Sequence, residues 1–167
     1  MVFAETIREK RDRLSYSREY AAEKLGISVD RLGRLETEKV AIRPDEVLSM
    51  SILYKSPELC NLYCSEVCEI GQKYIPKVPN SDLAVIILRL LTSINRVDNI
   101  ERLLYEITED GKVSNKDIPA LVTVLQSLEK LSTMSTALQL CVERKKATGA
   151  LDKEQYDKEV ASQNQSE

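Results

Sequence analysis

Apolar residues recur at helical spacing along almost the whole chain, and short polar or Gly/Pro-containing breaks divide them into segments. Phe3, Ile7, Arg11 and Leu14 lie four, four and three apart, which predicts a helix over 2–15. Ser15-Tyr16-Ser17 interrupts it, and Ser17 is a suitable N-cap for a segment 18–25 that turns Ala21, Ala22 and Leu25 inward. Gly26 permits a tight corner. Ser28 then caps a third segment, 29–37, with Leu32 and Leu35 inward. Arg43-Pro44-Asp45 opens a fourth holding Val47, Leu48, Ile52 and Leu53, and Ser56-Pro57-Glu58 opens a fifth, 57–66.

The stretch 69–81 carries Gly71, Pro76, Pro79 and Asn80 and reads as a linker. From 82 to 109 the apolar positions are 83, 87, 90, 94, 97, 100, 104 and 107. Steps of four and three predict one long helix with a coiled-coil-like seam, roughly 40 Å at 1.5 Å per residue. Asp110-Gly111 ends it. Asp117 caps a partner helix with Pro119 in its first turn and a stripe of Leu121, Leu125, Leu128, Leu131, Leu138 and Val142. That helix closes on Glu143-Arg144-Lys145-Lys146, where cations suit the negative end of the helix dipole. Beyond Gly149 apolar residues are sparse, which predicts a flexible tail over 147–167. The expected organisation is therefore all-α: a five-helix domain (1–68), a linker (69–81), a long antiparallel helical hairpin (82–146) and the tail.

Composition narrows the functional classes. Five Gly, five Pro, no Trp and one Phe in 167 residues argue against a β-rich fold. No run of eighteen apolar residues exists, and Met1-Val2-Phe3-Ala4-Glu5 leads straight into charged sequence, so neither a membrane span nor a secretory signal is expected. The absence of His excludes a Ser-His-Asp triad and a His-ligated metal, and no phosphate-binding loop is present, so the chain is not expected to be an enzyme. The net charge of −3 is unevenly spread: residues 1–56 hold 11 Lys and Arg against 10 Asp and Glu, whereas 57–167 hold 13 against 17. Only the first third can meet a polyanion, through local clustering.

The informative segment runs from Ser17 to Glu36, Ser-Arg-Glu-Tyr-Ala-Ala-Glu-Lys-Leu-Gly-Ile-Ser-Val-Asp-Arg-Leu-Gly-Arg-Leu-Glu. Two helices packed at a corner need a small residue at the crossing, and Ala22 supplies it. They need a corner residue tolerant of positive φ, supplied by Gly26. They need apolar residues facing one core, supplied by Leu25, Ile27, Leu32 and Leu35. The outer face of the second helix is then free to enter a major groove.

Residues 4–56 carrying this pattern resemble the phage-repressor-like helix-turn-helix family, the Cro and lambda-repressor type often called Xre. The resemblance implies double-stranded DNA as partner and places Val29, Asp30, Arg31 and Arg34 at base edges. Arg can take guanine O6 and N7, Asp can accept from cytosine N4, and Val can touch a thymine methyl. It also places Ser17, Arg18 and Lys39 at phosphates. Two departures stand out: Gly33 lies mid-helix where the family often has Ser, and Glu38 lies where the family's turn usually has Gly. Glu36 is expected to pair within the domain, because a carboxylate facing phosphate is repelled.

Two further clusters have bland and sharp readings. Cys60, Cys64 and Cys68 share one helical face, and they read as small buried hydrophobes, as a thiol redox switch, or as a metal or iron–sulfur site with Cys141 as fourth ligand. Reduced, structural thiols in a cytoplasmic protein, with no metal and no cofactor, are the expectation. In Glu106–Asp117, Gly111, Val113 and Asp117 fit a calcium loop, but Glu106 and Thr108 do not. The segment therefore reads as a turn between helices.

The hairpin has more apolar surface than it can hide alone, with Leu88, Leu91 and Leu103 off the main seam. A homodimer through 82–146 is the economical solution. The expected function is a dimeric, sequence-specific transcriptional repressor of phage or mobile-element type. The alternative is a module that binds a protein partner, an antitoxin or an inhibitor of a host defence enzyme, and keeps its helix-turn-helix for autoregulation.

Overall fold

The computed structural model describes residues 3–95, 97–108 and 113–164, and among them the chain is all-α with no strand. The helices are α1 (Phe3–Arg13), α2 (Arg18–Leu25), α3 (Val29–Leu35), α4 (Pro44–Leu53), α5 (Glu58–Glu66), α6 (Glu69–Tyr74), α7 (Leu83–Ile94), α8 (Val97–Thr108), α9 (Ile118–Ala147) and α10 (Lys153–Asn164). A 3-10 turn, Asn115–Asp117, precedes α9. The chain divides into two compact units, residues 1–77 with 142–167, and residues 78–141.

In the first unit, α1 to α5 enclose one core of Phe3, Ile7, Ala21, Ala22, Leu32, Leu35, Val47, Met50, Tyr54 and Leu59. The caps read from sequence are in place: Ser17 Oγ accepts from the Tyr20 N–H and Ser28 Oγ from the Arg31 N–H, each at 3.1 Å. Gly26 takes the left-handed conformation at φ 66°, which lets the chain reverse between α2 and α3. Ala21 and Ala22 are fully buried, so the two helices approach closely there.

Three expectations are corrected. The stretch 69–81 is not all linker, because α6 occupies its first half. Gly71 makes this possible: a Cβ there would lie 2.0 Å from the Cys64 carbonyl oxygen, so only glycine lets α6 sit against α5. The residue read as a breaker is a close-approach site. Asn61 Nδ2 and the Pro76 carbonyl then tie the following turn back to α5 at 3.1 Å.

The single helix expected over 82–109 is two helices. Thr92 and Ser93 direct their hydroxyls to the carbonyls four residues earlier, at 2.8 and 3.0 Å, a pattern that bends helices, and α7 then ends on Asn95. Apolar periodicity runs across that break and so conceals it. The expected turn at Asp110-Gly111 lies outside the described residues.

The tail holds a further helix, α10. Gly149 takes φ 75°, and the Asp152 carboxylate accepts from the Gln155 N–H at 3.0 Å to start the helix. Lys146, at the end of α9, sits 4.7 Å over the Tyr156 ring and pairs with Asp157 at 3.6 Å. No residue of α10 is buried, so this Lys146 clasp is its main anchor among the described contacts.

In the second unit α7 runs antiparallel to α9. Ile86, near the start of α7, packs with Ala137 and Cys141, late in α9, flanked by Val78, Leu83 and Leu138. Ile100, Ile107 and Val124 are buried further along. The packed line on α7 is thus turned from the predicted seam: Ile86 is inside, whereas Ile87 and Ile94 are exposed.

Candidate nucleic-acid interface

Helix α3 is short, seven residues, and two of its side chains, Leu32 and Leu35, fasten it to the core. What remains outward is a compact face. Val29, Asp30 and Arg34 are exposed, and Arg34 reaches Asp30 at 3.9 Å, one turn away. Gly33 lies beside them, and a Cβ built on it meets nothing within 4 Å.

Gly33 is therefore not required by packing, and it carries the helix-interior penalty of about 1 kcal/mol relative to Ala. Gly33→Ala is expected to stabilise the domain by about that amount, a rise of roughly 4–8 °C in thermal midpoint for a domain this small. A fall in the midpoint on calorimetry would mean the site is packed after all.

The cations around this face differ sharply in what they already do. Arg31 does not project freely: its Nε donates to Glu46 Oε1 at 2.5 Å and its Nη2 to Oε2 at 2.8 Å, a bidentate pair between α3 and α4. The Arg31 side chain is 33% exposed and that of Glu46 only 4%. Glu46 also accepts from the Arg43 N–H at 2.9 Å, which satisfies a backbone donor at the start of α4. The Arg31 hydrogen bonds, together with that backbone bond, hold the Glu46 carboxyl below its ordinary range. Arg31, expected at a base edge, is thus committed to the fold in the absence of DNA.

A second ion cluster lies behind the two-helix corner. Glu36 has a fully buried side chain. It accepts from Arg11 Nε at 2.6 Å, Arg11 Nη2 at 3.1 Å and Arg18 Nε at 2.8 Å. Arg11 also donates to the Tyr16 carbonyl at 2.7 Å. Three helices meet on this one carboxylate: α1, α2 and the end of α3. Arg18, expected at a phosphate, is partly drawn in, with 40% of its side chain still exposed.

Ser17 accepts on its oxygen from the Tyr20 N–H, and its hydroxyl hydrogen-bonds the Glu19 carboxylate. Lys39 is exposed and makes no ion pair among the described residues. At the departure Glu38 the backbone takes φ 56°, the left-handed geometry that glycine adopts readily.

The site is a capped, glycine-cornered helix pair with an open outer face. Residues 7–58 match the sequence model of the helix-turn-helix family. That segment is a helix-turn-helix of the Cro and lambda-repressor type, a class of DNA-binding regulators. No curated protein and no solved structure matches the chain. The match covers α2, α3 and α4 and most of α1, so every outward residue of α3 falls inside it.

Two partners of the site were not named from sequence. Glu46 was signalled by its place in the first turn of the helix that Arg43-Pro44 opens, where a Glu can reach back to the N-cap N–H. Arg11 was signalled by its place on the apolar stripe of α1, where a buried cation needs a buried anion. The thiols are separate from this face. Cys60, Cys64 and Cys68 are half-buried, Cys141 is buried, and none of the four is in a disulfide. Burial pushes the Cys64 thiol up from its ordinary value. Among the described residues no three Cys, Asp or Glu side chains converge as a metal site, and no helix is long and apolar enough to cross a membrane.

Proposed function

We propose that this protein is a sequence-specific transcriptional repressor of phage or mobile-element type that binds a palindromic duplex as a homodimer. The observation that carries the reading is the outer face of α3, where Val29, Asp30 and Arg34 stand exposed beside Gly33 on a helix fixed to the core by Leu32 and Leu35. In the major groove Arg34 would read guanine, Asp30 cytosine N4 and Val29 a thymine methyl. Ser17, Arg18 and Lys39 would hold phosphates and fix the register. Arg31 acts by holding α3 on α4, or reaches a base only by leaving Glu46.

These roles separate in a gel shift. Arg34→Ala is expected to cost about 1–3 kcal/mol on the preferred operator and little on random DNA. Lys39→Ala is expected to weaken both DNAs alike and to lower the salt dependence. Equal losses on both DNAs for Arg34→Ala would make it a phosphate contact.

The dimer reading rests on the second unit. Ile87, Leu88, Leu91 and Ile94 are exposed on α7, Leu104 and Tyr105 on α8, and Ile118, Val122, Leu125 and Leu128 on α9. A stable interface needs about 800 Å² per partner. Shared among ten such side chains this asks about 80 Å² of each, which half-exposed Leu and Ile can supply. A second copy of the chain supplies the matching surface and also the second recognition helix that a palindrome requires. The same apolar faces favour the second reading, a module that docks on another protein. A homodimer in the absence of any partner separates the two.

A further inference from the structure

The seam between α7 and α9 is filled at one level by Ile86, Ala137 and Cys141. Beyond that level the helices present Thr92 and Ser93 on α7 and Gln126, Ser127, Thr133 and Met134 on α9. A groove of about 650 Å³ stays open there, within the second unit. This is the size of a small-molecule site.

Its lining is chemically directed. Arg89 enters from α7 and Lys130 from α9, and neither makes an ion pair among the described residues. Glu129 also lines the groove. The hydroxyls of Thr92, Ser93, Ser127 and Thr133 all donate to carbonyls of their own helices, at 2.8–3.0 Å. Their oxygens are left as acceptors only. On α7 the groove residues 89, 92 and 93 lie on a different helical face from the exposed apolar residues 87, 91 and 94, at 100° per residue.

We infer that this groove binds a small organic phosphate of sugar-phosphate or nucleotide size. A phosphate monoester carries close to two negative charges at pH 7, and Arg89 and Lys130 bring one cation from each helix to meet it, against the single carboxylate of Glu129. The hydroxyl oxygens and Glu129 accept from the hydroxyl or amino groups on the rest of the ligand. The inference stands apart from the DNA-binding reading, since neither helix belongs to the helix-turn-helix.

Isothermal titration of the full-length protein without DNA tests it, with ribose 5-phosphate and adenosine monophosphate as probes and with inorganic phosphate and adenosine beside them. At least one organic phosphate is expected to saturate a single site per chain, and Arg89→Gln/Lys130→Gln is expected to weaken it at least tenfold with helical content unchanged. If that double variant loses helix content, Ser127→Leu, which fills the groove and leaves both charges, should abolish the same binding. No saturable binding of either organic phosphate overturns the proposal. So does equal binding by inorganic phosphate or adenosine, or binding indifferent to the folded variants.

Discussion

Glu36→Ala is expected to unfold the N-terminal domain at temperatures the native protein tolerates. The carboxylate has no exposed side-chain surface and accepts three hydrogen bonds from Arg11 and Arg18. Its removal leaves the Arg11 guanidinium, 7% exposed, without its main counter-charge. Breaking a buried pair from one side costs about 3–5 kcal/mol, and the half-exposed Asp12, 2.7 Å from Arg11, replaces only part of the lost counter-charge. In a small domain each kcal/mol lowers the midpoint by roughly 4–8 °C, so the drop should exceed about 12 °C. Arg18→Ala should cost far less, since Arg18 is 40% exposed and water replaces much of what it gives. Calorimetry of the two variants decides the matter. Equal small losses would mean that the cluster is decoration on a core that stands without it.

The second large effect concerns the hairpin. Leu91→Asp with Leu125→Asp is expected to convert a dimer to a monomer and to weaken operator binding about a hundredfold, about 2.8 kcal/mol. Both side chains are exposed in the single chain, Leu125 at 64%, so the fold of one chain should tolerate the change. Across an interface the same carboxylates would be buried unpaired. Losing the partner removes the tether that presents the second recognition helix at millimolar effective concentration. Sedimentation checks the first half and a gel shift the second. A native protein that sediments as a monomer at micromolar concentration contradicts the proposal, and the protein-partner reading then accounts better for these apolar faces.

How far the sequence could be read depended on the range of the interaction. Caps, corners and helix faces in residues 1–66 are local, so Ser17, Gly26, Ser28, Leu32 and Leu35 announced their places. The resemblance in the Ser17–Glu36 segment gave the face of α3 to expect at the DNA. It could not tell which cations are already engaged. Arg31 and Glu46 are fifteen residues apart, and nothing in the sequence next to Arg31 distinguishes it from the exposed Arg34. The second half was harder for a related reason. Four-three periodicity there marks two apolar faces at once, one packed within the hairpin and one open, so the seam at 83, 87, 90 and 94 mixed half-buried and exposed positions. Gly71 shows the same limit from another side. A glycine that permits close packing and a glycine that ends a helix look alike until the neighbouring backbone, here Cys64, is in place.

The central claim is that α3 reads a palindrome, and selection of bound DNA from a random duplex pool by the full-length protein tests it most directly. Enrichment of two inverted half-sites centred one helical turn apart, about 10–10.5 base pairs, or a multiple of that, is the predicted result. The selected site should lose its advantage over random DNA when Arg34 is replaced by Ala. A pool that gains no sequence preference, or a preference that Arg34→Ala leaves intact, would contradict the account.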